Sequence, residues 1–170
     1  MKKQLLAVLA LFLLLFSSCK KENDESKYYL KFKKDGTWIT WKNALGELGP
    51  DLMDETKTNL GISARDEAMK DAFDISLQVD GSNLTTGTYS SDMYFMPILY
   101  LDNTTTNSML GYHNSEPSPG RPDPLYVVTI TSITDKEIKG TFTGNYITSI
   151  EDDTKVLEIT EGEFFVPRVR

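Results

Sequence analysis

Apolar and polar residues alternate with a period of two through most of the chain beyond residue 28, the signature of strands with one face buried. The stretch "YYLKFKKDGTWITWK" is the clearest case: two alternating runs flank Asp35-Gly36, the dipeptide a type I′ hairpin turn requires. A two-residue loop there sets Lys34 opposite Thr37, Phe32 opposite Ile39 and Leu30 opposite Trp41 on one face. The other face then carries Lys33 opposite Trp38, Lys31 opposite Thr40 and Tyr29 opposite Lys42. "AFDISLQVD" alternates without error, with Phe73, Ile75, Leu77 and Val79 inward, and is expected to pair with "NLGISAR" across the polar connection Asp66–Asp71. "EIKGTFTGNYI" places Ile138, Phe142 and Tyr146 inward. In "KVLEITEGEFFVP", Leu157 and Ile159 fall out of phase with Phe164 and Val166, so a bulge near Gly162 is expected to reset the register.

"LYVVTITSI" and "MYFMPILYL" are apolar on both faces and read as covered strands, with Pro97 pushing the latter toward an edge or a bulge. "NALGELGPDLMDE" holds two glycines and a proline and reads as a turn-rich connection. A polar, proline-rich excursion runs from Asp102 to Pro124. The pattern predicts an all-β fold: a single antiparallel β-sandwich or squashed barrel of about seven to nine strands over residues 28–170.

The N-terminus follows different rules. Lys2 and Lys3 precede an unbroken apolar run from Leu5 to Phe16, which as a helix spans ~18 Å and falls short of the ~30 Å hydrocarbon core. A basic start, a short apolar centre and then Ser17 and Ser18 describe a secretory signal over residues 1–18. The next residue, Cys19, is the only cysteine. An ordinary cleaved signal with an incidental cysteine is the plainer alternative, but it leaves an exported thiol with no partner.

The stretch "LLLFSSCKK" resembles the lipobox of bacterial lipoproteins, with Phe16 where that family favours an aliphatic residue. The resemblance implies cleavage before Cys19, a diacylglycerol on its sulfur and acylation of the new N-terminus, so that two or three chains give lasting membrane attachment. Residues 19–27 then form an acylated cysteine and polar tether. The mixed charges of "KKENDES" look like the export signals of surface lipoproteins. The expected address is the outer membrane, facing either the periplasm or the cell surface. Further along, "KKDGTWITW", "TTGTYSS", "VTITSITDKEIKGTFTG" and "LEITEGEFFVP" resemble a group of small Bacteroidetes-type lipoproteins of uncharacterised activity. That resemblance implies an all-β domain on a lipid anchor and carries no catalytic residues to transfer.

Composition narrows the partners. Loss of residues 1–18 leaves 152 of the 170 residues and shifts the formal charge from −7 to −9, since Lys2 and Lys3 go with them. An acidic chain gains nothing from phosphate backbones, so nucleic acid is not an expected partner. Chemistry is sparse. His113 is the sole histidine, no G-x-S-x-G elbow accompanies it, and with the only thiol at Cys19 no zinc set is available. Asp51, Asp54 and Glu55, and Glu151 to Asp153, lack the ligand spacing of an EF-hand loop. No metal and no cofactor is therefore expected. The remaining candidates are aromatic residues on the solvent face: Trp38, with Lys33 and Tyr29, offers a stacking platform for a sugar ring, against the alternative of an indole covering lysine stems. The leading expectation is a non-catalytic, lipid-anchored module that binds a glycan or an envelope protein. A small hydrolase using His113, or an assembly subunit of an outer-membrane complex, are the rivals.

Overall fold

The computed structural model describes residues 27–81, 83–102, 110–113, 126–144, 147–149 and 156–169. The signal, Cys19, the tether as far as Ser26, Tyr146, the acidic run 151–153 and most of the Asp102–Pro124 excursion lie outside the described residues.

The described residues form thirteen strands: β1 (Tyr29–Lys34), β2 (Thr37–Trp41), β3 (Asn43–Pro50), β4 (Lys57–Arg65), β5 (Ala72–Asp80), β6 (Gly87–Ser90), β7 (Ile98–Asp102), β8 (Leu110–His113), β9 (Val127–Ile133), β10 (Glu137–Thr143), β11 (Ile147–Ser149), β12 (Val156–Leu157) and β13 (Ile159–Val169). Nine of them have five residues or more, the upper end of the seven to nine strands expected. All hydrogen-bond into one sheet that curls into a half-barrel, in the order β12-β11-β8-β7-β5-β4-β3-β13-β10-β9-β6, with β1 and then β2 branching from β13. All pairings are antiparallel except one: the C-terminal end of β13 runs parallel to β3, Arg168 beside Gly46 and Val169 beside Glu47.

The first hairpin has the predicted register throughout, from Leu30 opposite Trp41 to Lys34 opposite Thr37. Its turn takes positive φ at both Asp35 (48°) and Gly36 (76°), the type I′ signature whose twist matches that of the flanking strands. β4 and β5 pair along their whole length, from Arg65 opposite Ala72 to Lys57 opposite Asp80. The bulge in β13 falls at Glu161–Gly162. Lys31 pairs with Glu163 but Lys33 with Thr160, and Glu161 takes φ 50°. The extra residue brings Ile159 and the later Phe164 and Val166 to the same buried side.

One expectation needs correcting. "NALGELGP" is not a connection but strand β3, paired with β4 over all eight residues. Gly46 is there for close approach: a Cβ on it would lie 2.7 Å from Val166 Cγ2. Only a residue without a side chain lets β3 pass this close to β13.

The core lies inside the curl. Phe32, Phe73, Tyr100, Phe142 and Phe164 are fully buried, with Trp41 stacked on Tyr100 at 6.1 Å and Phe32 against Phe73 at 4.9 Å. Two glycine–aromatic pairs lock β10 to β13. Gly140 is opposite Phe164 and Phe142 is opposite Gly162, each ring lying over the glycine across from it. A Cβ on Gly162 would sit 2.2 Å from the Phe142 ring, and one on Gly140 2.4 Å from that of Phe164. Each ring fills the space its partner leaves, which pins the register as well as the packing.

Candidate functional site

Because side chains alternate along a strand, the residues that leave Leu30, Phe32, Gly162 and Phe164 inside turn their neighbours outward. The outer face of β2, β1, β13 and β10 therefore collects Trp38; Tyr29, Lys31 and Lys33; Glu161, Glu163 and Phe165; and Glu137 and Lys139. Trp38 lies on β2, whose only strand partner among the described residues is β1, and its side chain is 46% exposed. The ammonium of Lys31 lies 4.2 Å from the ring centroid and that of Lys33 5.1 Å away, both within cation–π range. Lys33 is held in place by Glu161 Oε1 at 2.5 Å.

Of the sequence-predicted trio, Trp38 and Lys33 come together directly. Tyr29 shares their face but sits ~13 Å further along β1, four residues at ~3.4 Å each. Its hydroxyl donates to Glu163 Oε1, and the Lys42 ammonium lies 5.3 Å from its ring centroid. The bond to Glu163, reinforced by partial burial, pushes the Tyr29 hydroxyl up to about 12. Phe165 continues the strip, in edge contact with Tyr28 at 5.0 Å and with Lys139 Nζ 4.2 Å from its centroid. At the far side Lys27 donates to Glu137 at 3.1 Å, which holds the Glu137 carboxyl below its ordinary range and raises Lys27. The face is thus a strip in which aromatic side chains stand among paired charges.

Sequence reasoning missed Lys31, which approaches Trp38 more closely than Lys33 does, and the β13 side of the strip. The outward phase of Glu163 and Phe165 follows from that of Phe164 and Val166. That β13 lies against β1 has no local signal, because the two strands are distant in sequence.

A second polar cluster was also missed. Lys34 stands on the inward face at the turn end of the hairpin, where its ammonium donates to Asp102 Oδ2 at 2.8 Å and to the Tyr100 hydroxyl at 3.0 Å. The Tyr100 hydroxyl in turn donates to Asp71 Oδ2 at 3.3 Å. Burial first, then the charges of Asp71 and Asp102, raises the Tyr100 phenol far above its ordinary value, so it stays protonated. Every member has a partner, and the cluster fastens the hairpin to β7 and to the β4–β5 turn. The ammonium is half-buried and paired, so removing Asp102 would strand its charge at a cost greater than the pair's own net contribution.

The other candidates are placed as follows. His113 belongs to β8 rather than to a loop, its backbone opposite Leu99 on one side and Thr148 on the other. Asp51 and Asp54 spend their carboxylates on the β3–β4 loop itself. Asp51 accepts from the Met53 and Asp54 amides and from Gln78, and Asp54 accepts from the Thr56 amide and hydroxyl. These bonds hold both carboxyls below their ordinary range. Set beside known proteins, the chain matches no family model, no curated protein and no solved structure.

Proposed function

We propose that the protein is a non-catalytic binding module of the outer envelope, held in the outer membrane by lipid on Cys19, whose outer hairpin face engages a glycan. The observation that carries this reading is Trp38: a large indole, nearly half exposed, kept on a solvent face beside Lys31 and Lys33, the latter braced by Glu161 of β13. An indole face offers apolar area to the C–H side of a pyranose, and the flanking ammoniums and carboxylates offer hydrogen bonds to its hydroxyls. Ion pairs hold Lys33, Lys139 and Lys27 in place, so little of their side-chain freedom is lost when a chain of sugars lies along the strip. Trp38→Ala is expected to abolish retardation on polysaccharide affinity gels with the fold intact. Equal mobility of the two proteins over a broad glycan panel removes the reading.

An envelope protein is the second reading, favoured by the position of β2. Among the described strands it pairs with β1 alone, and an edge strand is a template for a strand from a partner. Cross-linking in intact envelopes separates the two: one reproducible protein neighbour supports the partner, and monomer alone supports the glycan. Mass spectrometry of the native product tests the anchor through the mass added to Cys19. Whole-cell protease treatment tells the cell-surface orientation from the periplasmic one.

A further inference from the structure

The geometry points to the β3–β4 loop as a membrane-contacting tip, with Leu52 and Met53 seated in the lipid interface when the anchored domain settles on the bilayer. Leu52 is 98% exposed and Met53 97%, so two adjacent apolar side chains touch almost nothing of their own protein. Such a pair on an unrestrained loop would fold back against the nearest apolar surface. Here the loop is braced. Asp51 Oδ1 takes the Met53 amide at 2.9 Å and the Asp54 amide at 3.0 Å, and Gln78 holds Asp51 Oδ2 at 2.8 Å. Backbone bonds from Asp51 to Lys57 and from Lys57 to Asp54 close its base at 2.9 Å each. Asp51 is turned into these bonds and Asp54 into the amide and hydroxyl of Thr56, and the tip itself is apolar.

The occupant follows from where the loop points relative to the anchor. Lys27, the first described residue, is tied to Glu137, which pairs with Pro167 near the C-terminal end of β13. The one parallel pairing among the described strands sends β3 the same way: Gly46 and Glu47 lie beside Arg168 and Val169, and β3 runs on from there to Pro50. The loop therefore overhangs the end of the sheet at which the tether leaves, by up to ~17 Å at ~3.3 Å per residue. The eight residues from Cys19 to Lys27 reach at most ~28 Å. A domain tethered that closely presents this end to the bilayer, and the braced Leu52–Met53 pair is the first apolar surface to meet it. Because Asp51, Asp54 and Glu55 sit behind the tip, a zwitterionic surface suits it better than an anionic one.

The inference rests on the Cys19 anchor proposed above, and its test keeps the two apart. Full-length Met53→Cys, processed in its native host, carries an environment-sensitive fluorophore at position 53; an acylated Cys19 does not compete for the label. Thr37→Cys, on the exposed turn end of the hairpin, is the control. In phosphatidylcholine vesicles the position-53 dye is expected to shift to the blue and to be quenched about twofold or more by a lipid-borne spin label, with the position-37 dye unchanged. An unshifted, unquenched dye on acylated protein that floats with the vesicles overturns the inference and leaves the anchor standing. A bare thiol at Cys19 overturns both. A blue-shifted dye that ignores the lipid quencher and relaxes on dilution assigns the tip to a second copy of the chain and also overturns the inference.

Discussion

The two faces of β13 are built on opposite principles. Inward, Ile159, Gly162, Phe164 and Val166 meet the core with no spare volume, and the glycine–ring pairs admit no added atom. Outward, Glu161, Glu163 and Phe165 meet long, flexible partners: Lys33, the Tyr29 hydroxyl and Lys139. The inner face fixes which strands are neighbours and in what register. The outer face inherits that spacing and has freedom in the identity of its side chains. One strand thus separates the work of holding the sheet from that of presenting a surface, and the bulge at Glu161–Gly162 is the hinge between them, turning Glu161 toward Lys33 as it drops Gly162 beneath Phe142.

The contrast is broken most severely from the inside. Phe142→Ala empties the space above Gly162 and is expected to cost about 3–5 kcal/mol, read as a lowered denaturant midpoint. An undiminished midpoint would mean that the ring is not the interlock described. Gly162→Ala tests the same contact from the other side. Its Cβ would fall inside the Phe142 ring, so a loss of about 1–3 kcal/mol is expected, and the double variant Gly162→Ala/Phe142→Leu should recover part of it.

The outer face predicts a smaller, pH-dependent effect. The Tyr29 pKa is raised to about 12 in the folded chain, above the ~10 of an unfolded tyrosine, so its bond to Glu163 contributes fully below pH ~10 and is lost as pH climbs toward 12. Tyr29 is only partly buried and its bond to Glu163 faces solvent, so with screening allowed for that contribution is at most about 1 kcal/mol. Tyr29→Phe should therefore narrow the gap between the unfolding free energies measured in urea near pH 8 and near pH 11 by no more than this amount. A variant that loses several times as much at neutral pH would show Tyr29 to be part of the core.

How much of this was legible in the sequence depends on whether the signal is local. The hairpin register is written in fifteen consecutive residues around Asp35-Gly36, and the β13 bulge in the slip between Ile159 and Phe164; both are read correctly from alternation alone. Alternation assigns faces but not neighbours, so the meeting of β1 with β13, and with it the charged half of the Trp38 strip, carries no mark in either segment. Glycine is ambiguous for a physical reason. Gly46 and Gly49 look like turn residues, yet Gly46 is there because a side chain would strike Val166. Lys34 misleads in the opposite way, since a lysine at the end of an inward row reads as a frayed position. Its partner Asp102 arrives from a strand far away in sequence.

The first strand of this molecule must wait for the last. Tyr29 and Glu163, which meet across β1 and β13, are 134 positions apart. A ribosome delivers the hairpin β1–β2 long before β13 exists, and two strands alone are scarcely stable in water. Only once β13 has emerged can it slot between β1 and β10 and touch β3, joining strands made long before it. Until then the β3–β4–β5–β7–β8 strands and the β9–β10 pair lack the strand that joins them.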